Sequence, residues 1–110
     1  MSLYNQEEYG ASIAQFQSAL ALEPGNALYH CNLGVALAEL NEDAAALEHY
    51  ETAIRLTPND PTAYLNLGYF YSERERHDEA RRYWNKAIEA APGSPEADEA
   101  RQNLARANEV

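Results

Sequence analysis

ALYHCNLGVALAELNEDAAALEHYETAIRLTPND (27–60) lies over PTAYLNLGYFYSERERHDEARRYWNKAIEAAPGS (61–94) without a gap, and this pairing decides the fold. Asn32, Leu33, Gly34, Glu39, Ala46, Ala53, Ile54 and Pro58 return 34 residues later as Asn66, Leu67, Gly68, Glu73, Ala80, Ala87, Ile88 and Pro92. The same step links Pro24 to Pro58 and Phe16 to Tyr50 and Trp84, so a third, incomplete copy opens the chain. A fixed period of this length marks stacked units, each too small to bury its apolar face alone.

Within each copy the apolar spacing is helical. His30, Leu33, Gly34 and Leu37 fall at i, i+3, i+4 and i+7, as do Tyr64, Leu67, Gly68 and Tyr71, and each set forms one stripe on a first helix. Ala46, Tyr50, Ala53 and Ile54 make the stripe of a second helix, matched by Ala80, Trp84, Ala87 and Ile88. The spacing predicts helices over 27–40, 44–57, 61–74 and 78–91, paired antiparallel. Asn41-Glu42-Asp43 breaks one pair. Asp60-Pro61 and Ser94-Pro95 each offer an N-cap followed by proline in the first turn, and Pro24, Pro58 and Pro92 stop the preceding helices. Gly34 and Gly68 lack a side chain where the second helix must pass closely, and Phe16, Tyr50 and Trp84 fill the space left by small residues.

These residues resemble the tetratricopeptide repeat family, whose signature is an aromatic, Leu-Gly, Tyr, Ala, an aromatic, Ala and Pro on this period. Residues 61–94 carry it nearly whole in Tyr64, Leu67-Gly68, Tyr71, Ala80, Trp84, Ala87 and Pro92. Residues 27–60 depart from it at His30 and Leu37, which take two aromatic places. The opening copy keeps Phe16, Ala19, Leu20 and Pro24, but Ser12 replaces an alanine and the Leu-Gly pair would fall before Met1. The resemblance implies an all-α fold, a right-handed α-solenoid of antiparallel helix pairs. Its expected parts are a partial repeat at 1–26 (a stub of a first helix plus a second helix), repeats at 27–60 and 61–94, and a polar capping helix at 95–110.

Charge restricts the partners. Eight basic residues face eighteen acidic ones for a net charge of -10, and no Lys or Arg precedes Arg55. Nucleic acids and anionic membrane surfaces select the opposite sign, so neither is expected as a partner. The single cysteine, Cys31, excludes an internal disulfide and suits a reducing, cytoplasmic setting, and no apolar run reaches signal-peptide or membrane-spanning length. His30, His49 and His77 have no ligand-type partner at i+4, Cys31 adjoins His30 on a different helix face, and no Gly-rich phosphate loop or GxSxG occurs. The sequence therefore points to neither a metal site, a cofactor nor catalysis.

In tetratricopeptide proteins the first helices line a concave groove. With His30, Leu33, Gly34 and Leu37 facing inward, Cys31, Asn32, Val35, Ala38 and Glu39 lie on the opposite side of their helix, and Leu65, Asn66, Tyr69, Ser72 and Glu73 repeat the arrangement. The resemblance implies that Asn32 and Asn66 hold the main chain of an extended peptide, for which an amide offers both donor and acceptor. Val35, Leu65 and Tyr69 are the expected apolar contacts. Glu39 and Glu73 make the groove acidic and favour a neutral or basic ligand, whereas the Lys and Arg clamp that some members use on acidic chaperone tails is missing. The alternative is a structural role, as a self-associating segment or part of a longer solenoid. The incomplete opening copy would expose Ile13, Phe16 and the next helix, and so invite a homodimer.

Overall fold

A computed structural model describes residues 3–108; residues 1, 2, 109 and 110, at the ends of the expected partial repeat and capping helix, lie outside them. Six helices and no strand occur among the described residues: α1 (Leu3–Leu22), α2 (Ala27–Glu39), α3 (Asp43–Leu56), α4 (Thr62–Glu73), α5 (His77–Ala90) and α6 (Pro95–Asn108). The chain divides into two compact units, 1–56 with α1 to α3 and 57–110 with α4 to α6. None of the helices is long and apolar enough to cross a membrane.

In the first unit α2 packs against both α1 and α3. Leu33, Ala36, Ala46, Tyr50 and Ala53 are buried there, with Tyr50 among the most enclosed side chains of the molecule. Tyr50 reaches this depth because Gly34 has no side chain. A Cβ at that position would stand 2.8 Å from Tyr50 Cε1. Asn26 caps α2 by accepting from the Tyr29 N–H at 3.2 Å, which satisfies one of the donors a helix start leaves open.

The second unit also consists of three helices, with the middle one packed against both others. Here α5 packs against α4 and α6, and α4 also touches α6. Leu65, Ala80, Trp84, Ala87 and Ala100 form the core, with Tyr64, Tyr69, Tyr71, Ile88 and Leu104 packed around it. A Cβ on Gly68 would overlap the indole nitrogen and Cδ1 of Trp84, so only glycine lets α4 pass. Asp60 accepts from the Thr62 N–H at 2.9 Å and Ser94 Oγ from the Ala97 N–H at 3.0 Å, so both Asx/Ser-Pro pairs open helices. The α6 face at the positions of the Leu-Gly pair carries exposed Arg101 and Gln102 in place of apolar residues, which lets this side of the helix meet water.

The turns inside the two pairs are the same motif. Asn41 and Glu75, one period apart, adopt positive φ of 61° and 60°. Behind them the Glu42 N–H donates to the Leu37 carbonyl and the Arg76 N–H to the Tyr71 carbonyl, both at 2.9 Å, while Asn41 and Glu75 donate to Ala38 and Ser72. This is the Schellman pattern that satisfies the last carbonyls of a helix and reverses the chain.

The opening copy differs from its expected form. A single helix runs from Leu3 to Leu22, without a turn separating a stub from a second helix. The corresponding position is Glu7, inside Gln6-Glu7-Glu8, a run of good helix formers. Phe16 packs on Tyr29 of α2, with ring centroids 6.4 Å apart.

Candidate functional site

The outer faces of the two first helices carry the residues expected to meet a peptide. Val35 is exposed on α2 with Asn32 and Glu39 half-buried beside it, and on α4 Asn66 and Tyr69 are half-buried and Glu73 exposed. The spacing explains the common direction: residues three and four apart return to one face of a helix. Arg74 lies 4.0 Å from the Glu73 carboxylate and partly offsets its charge, a neighbour the repeat alignment gives no reason to place there.

Leu65 was expected on this face, but it is only 8% exposed and belongs to the core with Ala80, Trp84 and Ala100. Cys31, its equivalent one period earlier, and Ala38 are buried too. The reason is that each first helix has neighbours on two sides. A helix packed against one partner keeps half its surface free, whereas α2 lies between α1 and α3, and α4 meets both α5 and α6. The open strip narrows to Asn32, Val35 and Glu39 in one unit and to Asn66, Tyr69 and Glu73 in the other.

Tyr69 is more than an apolar contact. Its hydroxyl donates to the Glu99 carboxylate of α6 at 2.7 Å, and its ring stands edge-on to Trp84 with centroids 5.9 Å apart. Burial raises its pKa above the ordinary tyrosine value; the nearby Asn103 amide works against this and the Glu99 carboxylate adds to it. The phenol therefore stays protonated and remains a donor.

Sequence spacing gave no sign of one pair. His30 on α2 and His49 on α3 stack with centroids 5.3 Å apart and their Nδ1 atoms separated by 3.1 Å. His30 Nε2 lies 3.0 Å from the Pro24 carbonyl, which only accepts, so this nitrogen carries the proton. In the neutral ring its Nδ1 then accepts, and His49 Nδ1–H donates to it. Burial lowers the His49 pKa, the neighbouring His30 lowers it further, and Glu48 opposes both. Among the described residues no group of three or more His, Cys, Asp or Glu side chains converges as a metal site would require.

The tetratricopeptide repeat family model matches residues 1–61 and 44–95. No curated protein sequence matches the chain. Among solved structures, MamA is similar at 34% identity with a TM-score of 0.66 over 76% of this chain, which spans 48% of the MamA chain, about half. The Arabidopsis OM64 TPR domain superposes with a TM-score of 0.73 at 24% identity, covering 94% of this chain and 85% of that one. The first TPR of Spaghetti (RPAP3), bound to the HSP90 peptide SRMEEVD, gives 0.72 at 20% identity, covering 97% and 85%. The 34-residue period, the paired helices with glycine set against a large aromatic, and a family match reaching across residues 1–95 agree, and the chain belongs to the tetratricopeptide repeat family.

Proposed function

We propose that the chain is a protein-interaction module that holds extended peptide on the outer faces of its first helices, with Asn32 and Asn66 bonding the ligand main chain. The observation that carries this reading is the return of an outward-facing asparagine one period later on α2 and α4, each beside a solvent-reachable apolar residue, Val35 or Tyr69. An amide both donates and accepts, so it suits a peptide backbone whatever the ligand's side chains. The similar RPAP3 domain in its peptide-bound structure supports a peptide as the kind of partner. Glu39 and Glu73 favour neutral or basic ligands, and a buried Cys31 thiol suits a reducing, cytoplasmic setting.

The test selects binding peptides from a random library on the whole chain and compares the wild type with the double variant Asn32→Ala, Asn66→Ala. Affinity should fall by about 1 to 3 kcal/mol, as main-chain groups of the ligand lose their partners, with melting unaltered. Undiminished binding by the double variant would remove these faces from the recognition surface.

Self-association is the second reading. Leu22 at 86% and Leu28 at 58% exposure flank the α1–α2 turn and place apolar surface in water. Sedimentation of the wild type against Leu22→Glu decides it: a dimer that the charge dissociates supports this role, and a monomer in both excludes it.

A further inference from the structure

The second unit contains a cavity of about 570 Å³ between the ends of α4, α5 and α6, lined by Tyr69, Ser72, His77, Arg81, Trp84, Asn103, Arg106 and Ala107. That size suits a small ligand or a single side chain. In a chain of net charge -10, the lining contains two guanidinium groups and an imidazole, with no carboxylate. The nearby carboxylates stand outside the wall: exposed Asp78 pairs with Arg81, and exposed Glu99 takes the Tyr69 hydroxyl.

Asn103 gives this lining its direction. It is the buried polar residue of the core, at 5% exposure, and its Oδ1 accepts from Arg106. Its Nδ2 interacts with the Tyr69 hydroxyl but makes no close hydrogen bond to it. Arg81 and Arg106 each present five N–H donors and use few of them on Asp78 and Asn103. The wall therefore holds more donors than its own acceptors use, and no carboxylate. A ligand that supplies acceptors and carries negative charge satisfies the amide and both guanidinium groups together, in the forked geometry that guanidinium offers an oxyanion.

We propose that this cavity is a binding site for a small oxyanion, a phosphate or carboxylate group, held by Arg81, Arg106 and Asn103 with Ser72 and His77 at its side. The site goes beyond the peptide reading and does not depend on it: its charged residues come from the second helix and the final helix of the unit, whereas peptide contact is assigned to the outer faces of α2 and α4. Tyr69 is the one peptide-contact residue that also lines the cavity, and Ser72 lies on the same face of α4.

Trp84 makes the test direct, because it is the single tryptophan of the chain and its indole N–H gives one resolved resonance. The ¹⁵N-labelled chain is titrated with inorganic phosphate, with acetate and, as an ionic-strength control, with sodium chloride. The Trp84 indole and Asn103 amide signals should move and saturate with one or both oxyanions and stay still in chloride. Saturation by phosphate alone identifies a phosphoryl ligand, and by acetate alone a carboxylate. The double variant Arg81→Gln, Arg106→Gln should bind about tenfold or more weakly. Arg101→Gln, which removes the same charge from the exposed side of α6, should bind as the wild type does. Far-ultraviolet dichroism confirms that each variant is folded. Shifts absent with both oxyanions, matched by chloride, or unchanged in the double variant overturn the proposal. Asn32→Ala, Asn66→Ala should titrate like the wild type, so failure of the peptide reading and failure of this one are distinguishable.

Discussion

At the same two positions of the repeat, the first unit pairs His30 with His49 and the second pairs Tyr64 with Tyr83. The histidine rings are hydrogen-bonded and partly buried, with centroids 5.3 Å apart. The tyrosine rings are stacked at 6.5 Å, and Tyr71 stacks on Tyr83 in turn at 5.5 Å. The frame around these pairs is constant: a glycine on the first helix, a large aromatic on the second, alanines between. What the difference teaches is that the repeat fixes where two flat rings meet between its helices and leaves their chemistry free. One unit meets that requirement with a titratable pair and the other with a neutral stack, over which Lys86 places its ammonium 5.0 Å from the Tyr83 ring.

The largest expected effect breaks the frame itself. Trp84→Ala and Tyr50→Ala each empty a site that is almost fully enclosed, and each should cost about 3 to 5 kcal/mol in chemical denaturation. Trp84→Ala is the costlier of the two, because its side chain is larger and its cavity opens beneath both α4 and α6. Equal stability of either variant and the wild type would show that the aromatic is not core.

Overpacking sharpens the comparison next. Gly68→Ala drives a methyl group into the Trp84 indole, whereas Gly34→Ala brings one to 2.8 Å from the edge of Tyr50. Both should destabilise by about 1 to 3 kcal/mol, with Gly68→Ala the worse. Reversal of that order in thermal melts would mean that α4 yields more readily than α2.

The ring pairs separate the units by pH. The folded pKa of His49 lies below its ordinary value, so between the two values the unfolded chain binds more protons and stability rises with pH. The contribution is complete above about pH 6.5, the usual histidine value, and is lost as the pH falls through the lowered folded value. The double variant His30→Tyr, His49→Tyr, which copies the second unit, should melt with a flatter pH profile than the wild type. An unchanged slope would place the titration elsewhere.

The smallest effect concerns the turns. Both Asn41 and Glu75 carry a Cβ at positive φ, but the short polar side chain of Asn tolerates this conformation and the longer Glu75 does so less well. Glu75→Gly should therefore stabilise by up to about 1 kcal/mol and Asn41→Gly by less, as read from denaturation midpoints. A loss of stability at Glu75→Gly would show that its side chain outweighs the strain.

The period fixes most of the architecture before any coordinates. Helices expected over 27–40, 44–57, 61–74 and 78–91 are found as Ala27–Glu39, Asp43–Leu56, Thr62–Glu73 and His77–Ala90, because caps, proline stops and apolar spacing are local properties. The same reasoning separates Gly68 from its surroundings as a point of close approach, since a conserved step between two copies aligns it with Gly34. It also places Asn32 and Val35 on one side of α2, and Asn66 and Tyr69 on one side of α4.

Other features needed the folded chain. Leu65 reads as outward-facing from its own helix, and it is buried in a core that α5 and α6 build together. His30 and His49 lie 19 residues apart on different helices, so no spacing rule within a helix connects them. Arg81, Asn103 and Arg106 sit in unremarkable polar stretches of α5 and α6 and acquire a shared purpose only where those helices converge. Sequence by itself determined the elements, their order and their family, because hydrogen bonding and apolar periodicity act within a few residues along the chain. Tertiary structure decided which faces stay open and which charged groups meet, because burial and electrostatic neighbours depend on distances in space that no single helix specifies.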